Sequence, residues 1–552
     1  MSTLLLKLAP LIREPAFLLL LLSSAGIGLL QLFDGKSGRR KGDQARFASN
    51  TAIQNARHQV LEQLCNPKID STALTIGRPH NGEDKRFFPV PDAQQSVMVH
   101  GAPGVGKTVS VLQPLILSAL SQGHSMVLFD AKYDNLTARL IPIALEMGYE
   151  VHYFVPGYPE SGILNPLDFI QSPEDLTSAR EIAKGLHANA MQSGRNGRND
   201  PFFDEAAVTA LSAGMAMAKA TEYPDLLTTH AFLSLPDLPE RLSRAQNLNP
   251  WLKAAFSQLI SLKDSERTIG SILGTAIGVL NNIMVPEVAD VFCGHSTIPL
   301  RLEGRQLLVL GLDRRRRKTM APLLGAVMQI IVQENTAFKR KHPLCLAFDE
   351  LPLLMLPDLS QWLNLHREDG LIWLLGQQHK AQSEAVYGKE HTESIVAACS
   401  TKFWFNPQHP RTAKELSQQL GQHEYRSYQH TRGWNSGRYG STSRSRAEHW
   451  QWRPLVPEHV ILGFRRGECL VQNPHFADDS RGYLPFRHRF KLDKRIQRTF
   501  KRAERRWQQH IQPALIHQYR RPPLDAKDIA ARQTLAEALL PQVAQALPED
   551  FG

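Results

Sequence analysis

Residues 101–108 read Gly-Ala-Pro-Gly-Val-Gly-Lys-Thr. The stretch matches Gly-x-x-x-x-Gly-Lys-[Ser/Thr], the phosphate-binding loop, in which successive backbone N–H groups surround the phosphates of a nucleotide. In known proteins this loop follows a strand and precedes a helix. Here the apolar run at 96–100 predicts the strand, and the helical spacing of apolar residues at 109–121 predicts the helix. A glycine turn between two core elements is the alternative, but the context favours nucleotide binding. The residues predicted to bind nucleotide are Gly101, Gly104, Val105, Gly106, Lys107 and Thr108.

Two acids follow a second buried strand. Residues 344–350 read Leu-Cys-Leu-Ala-Phe-Asp-Glu. In enzymes with a phosphate-binding loop, one carboxylate at such a strand end holds Mg²⁺ and a second polarises the attacking water. We therefore predict that Thr108 and Asp349 are the Mg²⁺ ligands, that Asp349 thereby contributes to cofactor binding, and that Glu350 activates water.

The strand at 371–376 leads into two amides, Gln377 and Gln378. An amide at a strand end beside the γ-phosphate can sense hydrolysis. Gln377 and Gln378 are both candidates for this sensor, since the register leaves the choice open by one residue. Arg367, just before the strand, is the candidate for an arginine that reaches a neighbouring subunit's nucleotide. The residues alone thus predict that Glu350, Lys107, Arg367 and one of the two amides are catalytic.

Composition sets the scale of the protein and the sign of its charge. The chain has 552 residues, of which 42% are apolar, so it can bury a large core and is predicted to hold two or three domains. Lys and Arg total 64 against 53 acids, and the net charge of +11 favours a polyanionic partner or a membrane surface over a neutral one, although a generic basic protein would look the same. The five cysteines share no metal-ligand spacing, which indicates a reducing compartment without a zinc site or disulfide framework.

One membrane segment is predicted near the N-terminus. Residues 16–33 carry no charge, and eighteen residues of helix span about 27 Å, close to the roughly 30 Å hydrocarbon core of a bilayer. A cleaved signal peptide is the alternative. Five cations follow the segment at 36–46 and only two precede it, so the positive-inside rule predicts a single N-out anchor with the bulk of the chain in the cytoplasm.

Strand and helix patterns alternate from residue 97 onward, which predicts an α/β fold with a parallel sheet. Between 172 and 291 only helical patterns occur, so an all-α domain is predicted as an insertion. The predicted divisions are a membrane anchor at 1–45, the nucleotide-binding domain at 46–171 and 292–486, the insertion at 172–291, and a basic C-terminal tail at 487–552.

Several polar stretches suggest interaction surfaces. Residues 425–446 are rich in Ser, Gly, Tyr and Arg and are predicted to form a long mobile or pore-facing loop. Ten cations fall within 487–506, which raises the expectation of contact with nucleic acid or anionic lipid. For the cation run at 314–318 and the polar loop at 192–199, contact with a partner and simple exposure to solvent are equally good interpretations. A final amphipathic helix at 525–547 is predicted as an interaction tail.

In their order along the chain, these motifs resemble the type IV coupling proteins of bacterial conjugation and type IV secretion. The resemblance runs from about residue 94 to 473. Beside the phosphate-binding loop, it rests on the following motifs: Asp130-Ala131-Lys132, Asn165-Pro166-Leu167, Asp200-Pro201-Phe202-Phe203-Asp204, Phe348-Asp349-Glu350-Leu351, Arg367 with Gly370, Gln378 with Gln382, Tyr387-Gly388, and Gly467-Glu468-Cys469-Leu470-Val471.

The resemblance implies a RecA-like P-loop ATPase with an all-α domain and an N-terminal transmembrane helix, active as a ring that is expected to be a hexamer. Such proteins use ATP and Mg²⁺, bring relaxase-bound single-stranded DNA to the secretion channel, and are thought to help pump it. By position, the resemblance assigns phosphate and metal binding to the loop, Mg²⁺ to Asp349, water activation to Glu350, the trans contact to Arg367 and sensing to Gln378. Many members have two membrane helices, whereas one is predicted here.

Two other functions stay open from the sequence. The chain could be a membrane docking platform for protein effectors in which nucleotide controls assembly rather than pumping. A chromosome-partitioning pump of similar fold is a weaker alternative, because the single anchor and the helical insertion count against it.

Overall fold

The structure is a computed structural model that describes residues 44–77, 87–193, 201–246, 248–281, 284–435, 441–491 and 494–542. The predicted membrane segment at 16–33 and most of the polar loop at 192–199 lie outside these residues. Within the described ranges, no helix has both the length and the apolar character that a membrane crossing requires. The chain divides into two compact units, a small one formed by residues up to 46 together with 420–455, and a large one formed by the rest.

The large unit is built on a nine-stranded sheet, and the small unit contains a hairpin. In chain order, the strands of the structure are β1 (Leu74–Ile76), β2 (Phe88–Val90), β3 (Val97–His100), β4 (Ser125–Asp130), β5 (Glu150–Phe154), β6 (Gln306–Gly311), β7 (Leu344–Phe348), β8 (Leu371–Gln377), β9 (Thr401–Phe405), β10 (Gln422–Asn435), β11 (Ser441–Pro454), β12 (Glu468–Gln472) and β13 (Phe486–Arg489).

The helices of the described ranges are, in chain order, α1 (Asn50–Cys65), α2 (Gln113–Ser121), α3 (Thr137–Glu146), α4 (Leu176–Ser193), α5 (Pro201–Lys219), α6 (Leu226–Leu233), α7 (Leu238–Arg244), α8 (Pro250–Ala255), α9 (Ser257–Ser261), α10 (Glu266–Asn281), α11 (Pro286–Phe292), α12 (Arg317–Thr336), α13 (Leu359–Leu365), α14 (Lys380–Tyr387), α15 (Lys389–Ala398), α16 (Pro410–Gln419), α17 (Glu458–Leu462), α18 (Lys494–Arg506), α19 (Gln512–Gln518) and α20 (Ala526–Leu539).

The large sheet has the strand order β13-β12-β9-β3-β8-β7-β4-β6-β5. The seven strands from β9 to β5 are parallel, and β12 and β13 extend the β9 edge in antiparallel fashion. Side chains of β7 alternate between two hydrophobic clusters, with Leu344, Leu346 and Phe348 in one and Cys345 and Ala347 in the other. Both faces of the sheet are therefore covered, as a parallel sheet requires, and the predicted α/β architecture is confirmed.

The helical insertion leaves the sheet after β5 and returns before β6. Backbone hydrogen bonds join its two ends, from Leu164 N to Val291 O at 2.9 Å and from Thr297 N to Ile163 O at 3.0 Å. Its helices run from α4 to α11, and α4 also packs against α12 of the sheet domain. Within the insertion, α8 and α9 are two short helices that meet at the buried Phe256.

Residues 425–435 and 441–446 are strands rather than a loop, contrary to the sequence prediction. They belong to a hairpin in which β10 and β11 pair over fourteen residues each, from Gln422 opposite Pro454 to Asn435 opposite Ser441. The prediction was wrong because strand patterns are usually recognised by alternation of apolar and polar side chains, whereas this hairpin alternates aromatic or basic residues with small polar ones. The segment before α1 joins the base of the hairpin, where Ala45 N donates to Gln422 O at 2.9 Å.

The C-terminal region is packed into the large unit, which differs from the separate basic tail suggested by the sequence. Helix α18 lies against α3, with Phe500 and the following Trp507 buried in the hydrophobic cluster that covers one face of the sheet. Helix α20 is shorter than the predicted 525–547 and contacts α6 of the insertion through a buried ion pair between Arg532 and Asp225. The described cations of α18 largely face solvent.

Candidate nucleotide-binding site

The phosphate-binding loop lies at the carboxyl edge of the sheet, directly after β3. Its conformation needs glycine at two places. Gly101 has φ +156° and a Cβ there would lie 2.5 Å from Phe405 Cβ, while Gly106 has φ +102°. Backbone bonds hold the loop from both sides, since Ala102 N donates to Asn406 O at 3.0 Å and Gly467 N donates to Val105 O at 2.9 Å. The loop is thus a fixed cradle rather than a flexible turn.

Lys107 turns into the loop itself, and Thr108 contacts the acid with which the sequence pairs it as a Mg²⁺ ligand. The Lys107 ammonium donates to the Gly101 carbonyl inside the loop. Its side chain is buried, and this burial lowers the pKa of Lys107, against the opposing effect of Glu350 and Asp349. Thr108 Oγ1 donates to Asp349 Oδ1 at 2.6 Å. The two predicted Mg²⁺ ligands, 241 residues apart in sequence, are therefore in direct contact.

The strand order explains why these residues meet. One strand, β8, lies between β3 and β7, so the loop, the acids after β7 and the amides after β8 share one sheet edge. Gln378 donates from its backbone N to Glu350 Oε1 at 3.3 Å and from its side-chain amide to Glu350 Oε2. Burial raises the pKa of Glu350, and the Lys107 ammonium and these hydrogen bonds act against that shift. The carboxylate is thereby held in place beside the loop.

The comparisons with known proteins decide the family. Residues 87–481 match the family model of the type IV secretion-system coupling protein DNA-binding domain. The chain belongs to this family of coupling proteins. None of the curated proteins compared matches the chain.

Solved coupling proteins share the fold of this chain. Unbound bacterial conjugative coupling protein TrwBdeltaN70 matches with a TM-score of 0.55 and 18% identity, over 74% of this chain and 87% of that one. TrwB with ADP and Mg²⁺ gives 0.55 and 18% over 74% and 88%, and TrwB with a non-hydrolysable ATP analogue gives 0.54 and 16% over the same shares. These likenesses support the RecA-like fold with a helical domain that the sequence predicted.

The structure resolves which glutamine of this coupling protein meets the acid. Gln378 contacts Glu350, whereas the side chain of Gln377 is buried and donates to His100 Nδ1 at 2.6 Å. Ser383 Oγ in turn donates to Gln377 Oε1 at 2.7 Å. Gln377 therefore joins β3 to α14, and Gln378 occupies the position suited to a sensor.

Arg367 lies at the other edge of the sheet. It precedes β8, whose seven residues span about 20 Å, and the loop lies beyond the far end of that strand. Its guanidinium donates to Leu363 O at 3.1 Å, to Asn364 Oδ1 at 3.2 Å and to Ala398 O at 2.9 Å. Within one chain Arg367 does not meet Lys107, so its catalytic role stays a prediction that needs a neighbouring subunit.

Sequence reasoning missed Arg466. The residue before Gly467 lies beside the phosphate-binding loop, where a Cβ on Gly106 would be 3.5 Å from Arg466 Cγ. Its side chain is exposed, so a second cation is available at the loop. The signal was weak because 359 residues separate Arg466 from Lys107 in the sequence, although Gly467 was part of the motif that supported the resemblance.

His100 should make the stability of the protein sensitive to acid. Its ring stacks on Trp404 with 3.9 Å between centroids, and burial, followed by the charges of Lys402 and Lys107, lowers the pKa of His100 from 6.5 to about 3. A folded-state pKa below the ordinary value means that the unfolded chain binds the proton more tightly, so stability is fully present above pH 6.5 and falls as the pH drops toward 3. The free energy of unfolding should lose up to about 1.4 kcal/mol per pH unit in this window.

The variant His100→Phe keeps a ring against Trp404 and removes the titration. We expect its melting temperature to fall less between pH 7 and pH 5 than that of the parent protein, although it starts lower because Gln377 loses its acceptor. His58→Gln, at an exposed position of α1, is the control. Equal pH dependence in His100→Phe and the parent would show that His100 is not the group responsible.

Proposed function

We propose that this coupling protein is an ATP-hydrolysing motor that brings relaxase-bound single-stranded DNA to a type IV secretion or conjugation channel and helps to translocate it. The observation that carries the proposal is the meeting of Thr108 with Asp349 and of Glu350 with Gln378 at one sheet edge. A nucleotide-binding loop alone is compatible with many functions. The added pair of an acid and an amide supports hydrolysis.

The residues present fit a nucleotide with Mg²⁺. The loop offers backbone N–H groups, a buried lysine and three positive-φ glycines, and the solved TrwB structures include complexes with ADP and Mg²⁺ and with nucleotide analogues. Thr108 and Asp349 would hold the metal ion. Among the described residues no group of three His, Cys, Asp or Glu side chains could form a metal site by itself, which suits an ion that takes its remaining ligands from phosphates and water. When bound, Mg²⁺ neutralises phosphate charge during the reaction.

The side chains of this chain then have distinct tasks. The Lys107 ammonium, which here donates to the Gly101 carbonyl, exchanges that acceptor for phosphate oxygens. Glu350 accepts the proton of the attacking water, and Gln378 orients the Glu350 carboxylate and responds to loss of the γ-phosphate. Arg466 supplies a second cation beside the loop. Arg367 of one subunit reaches the nucleotide of the next in a ring, expected to be a hexamer.

Anchorage in the bacterial inner membrane by the segment at 16–33 is part of the proposal, supported by the family and by the charge asymmetry of the sequence. Single-stranded DNA with its relaxase and components of the secretion channel are the proposed partners. Protein effectors, recruited to a docking platform, are the alternative cargo.

Steady-state ATP hydrolysis by the full chain, with and without single-stranded DNA, tests the proposal. We expect DNA to stimulate hydrolysis, and Lys107→Ala to abolish it because the phosphate loses its cation. Lys389→Ala, at an exposed position in α15, is the control. Hydrolysis that is absent or indifferent to DNA in a folded, ring-forming protein would contradict the motor and favour the docking platform.

A further inference from the structure

The hairpin of β10 and β11 has an unusual composition. Residues 422–454 contain six arginines, six Tyr or Trp residues and two glutamates, and they contain no Val, Ile, Leu, Met, Phe or Lys. A strand pair that served only to fill a core would carry branched aliphatic side chains. The aromatic residues are also exposed, with 39% of Tyr428, 48% of Trp450 and 56% of Trp452 accessible to solvent. The hairpin therefore presents these rings outward rather than burying them.

The register sorts these residues onto one face. Directly opposed residues of an antiparallel pair point to the same side, and the pairs Glu424↔Trp452, Arg426↔Trp450 and Tyr428↔Glu448 follow each other at a spacing of two. Observed contacts agree, because the Arg426 guanidinium lies 5.1 Å from the Tyr428 ring centroid and 5.5 Å from that of Trp450. We call the face formed by Arg426, Tyr428, Trp450 and Trp452 the aromatic face.

The opposite face is different in character. Its register pairs include Ser427↔His449 and Gln429↔Ala447, and its one large ring in the described part is Tyr425, which Arg453 covers at 4.3 Å. Tyr425 is 44% exposed, close to the value of Tyr428. The same hairpin thus supplies an internal control, an exposed tyrosine on the side that lacks tryptophan.

Together these features indicate the chemistry of a partner. Exposed aromatic rings next to arginines bind single-stranded nucleic acid, because bases stack on rings and guanidinium groups meet phosphates. Because Arg426 already pairs with Glu448, the aromatic rings are the main groups that the base of the hairpin offers to a partner. In the sequence, residues 432, 438, 444 and 446 are all arginine, and no acid lies between 425 and 447. A polyanion with exposed bases complements this distribution. Tyr and Trp also occur at bilayer interfaces, so vesicle binding is one arm of the test below.

We propose that the aromatic face of the hairpin is a stacking surface for single-stranded nucleic acid, on which Tyr428, Trp450 and Trp452 contact bases. The inference rests on the proposed function, because it assigns to this surface the nucleic acid that the motor moves. It places that contact outside the nucleotide site and in the smaller structural unit.

Fluorescence anisotropy of a fluorescein-labelled oligo-deoxythymidine, titrated with the full chain at constant salt, tests the surface. Loss of stacking should raise the dissociation constant of Trp450→Ala/Trp452→Ala by about 5- to 150-fold. Trp450→Phe/Trp452→Phe should stay within about threefold of the parent, since phenylalanine also offers a ring face. Tyr428→Ala should weaken binding, and Tyr425→Ala on the opposite face should not. ATP hydrolysis without DNA should be unchanged in all four variants.

Parental affinity in the double-alanine variant would overturn the inference, and so would an equal loss in Tyr425→Ala, which would show a general effect on the hairpin. Loss of oligomer in size-exclusion chromatography would overturn it in favour of a contact with a second copy. Reduced sedimentation with phosphatidylserine vesicles, with DNA binding intact, would overturn it in favour of a membrane contact.

If the parent protein neither binds the oligonucleotide nor responds to it in hydrolysis, the proposed function itself fails. If the parent does both and the alanine variants do so equally well, the stacking surface alone is wrong.

Discussion

Glu350→Gln is expected to lower the rate of ATP hydrolysis by about 10²- to 10⁴-fold, the usual contribution of a positioned general base. Glutamine keeps the shape of the side chain but cannot accept the proton of the attacking water. Lys107 and the contact between Thr108 and Asp349 remain intact, so nucleotide affinity should change little. Steady-state hydrolysis and equilibrium binding of a fluorescent ATP analogue measure the two properties separately.

The control for this substitution is Glu390→Gln, which makes the same chemical change at an exposed position in the first turn of α15. It should hydrolyse ATP like the parent protein. A rate for Glu350→Gln within about threefold of the parent would remove Glu350 from the catalytic step, given that a general base contributes far more. Loss of nucleotide binding together with hydrolysis would instead indicate damage to the site.

Arg532→Leu is expected to destabilise the protein by about 3–5 kcal/mol, because it leaves a buried carboxylate without its cation. Arg532 Nε lies 2.9 Å from Asp225 Oδ2, and the side chains of Arg532 and Asp225 are only 7% and 2% exposed. Asp225 also accepts the backbone N–H of Thr228 at 2.9 Å and so caps α6. The ion pair therefore joins α20 to the start of a helix in the insertion. Thermal unfolding and amide hydrogen exchange of residues 526–539 measure the loss.

The double variant Asp225→Asn/Arg532→Leu separates the ion pair from simple packing. It leaves no buried charge, so it should be more stable than Arg532→Leu alone. If both variants lose the same stability, or if exchange at 526–539 is already fast in the parent protein, then α20 is not held by this pair.

The elements that could be predicted from sequence are those in which local pattern and burial agree. Strand β7 is apolar throughout and ends in Asp349 and Glu350, so both the strand and the chemistry beyond it could be recognised. The bounds of helix α6 could not be predicted, because the helix is apolar or uncharged nearly all round, with seven of its eight residues buried, and so shows no helical period. The hairpin was missed for the opposite reason, since its described side chains are largely exposed and no apolar alternation marks its strands.

Site residues could be predicted where they belong to a known sequence motif, but not where only folding brings them close to the nucleotide-binding loop. Lys107, Thr108 and Asp349 lie in recognisable patterns, and the structure brings them together. The sequence could not decide between Gln377 and Gln378 because the two residues are adjacent. The structure shows that the Gln377 side chain contacts His100 of β3 and that the Gln378 side chain contacts Glu350. Arg466 lies beside the loop because strand β12, which follows it, belongs to the same sheet. The residues next to Arg466 in the sequence do not form a nucleotide-binding motif.

The paired backbone bonds at the two ends of the helical insertion have an evolutionary consequence. Because Leu164 meets Val291 and Ile163 meets Thr297, the two chain ends of the insertion lie side by side, while its helix α4 packs against α12 of the sheet domain. Its length and surface can then diverge between lineages without moving the strands that carry the nucleotide site. A change in the length of the insertion can therefore occur while β5 and β6, the strands that precede and follow it, stay paired.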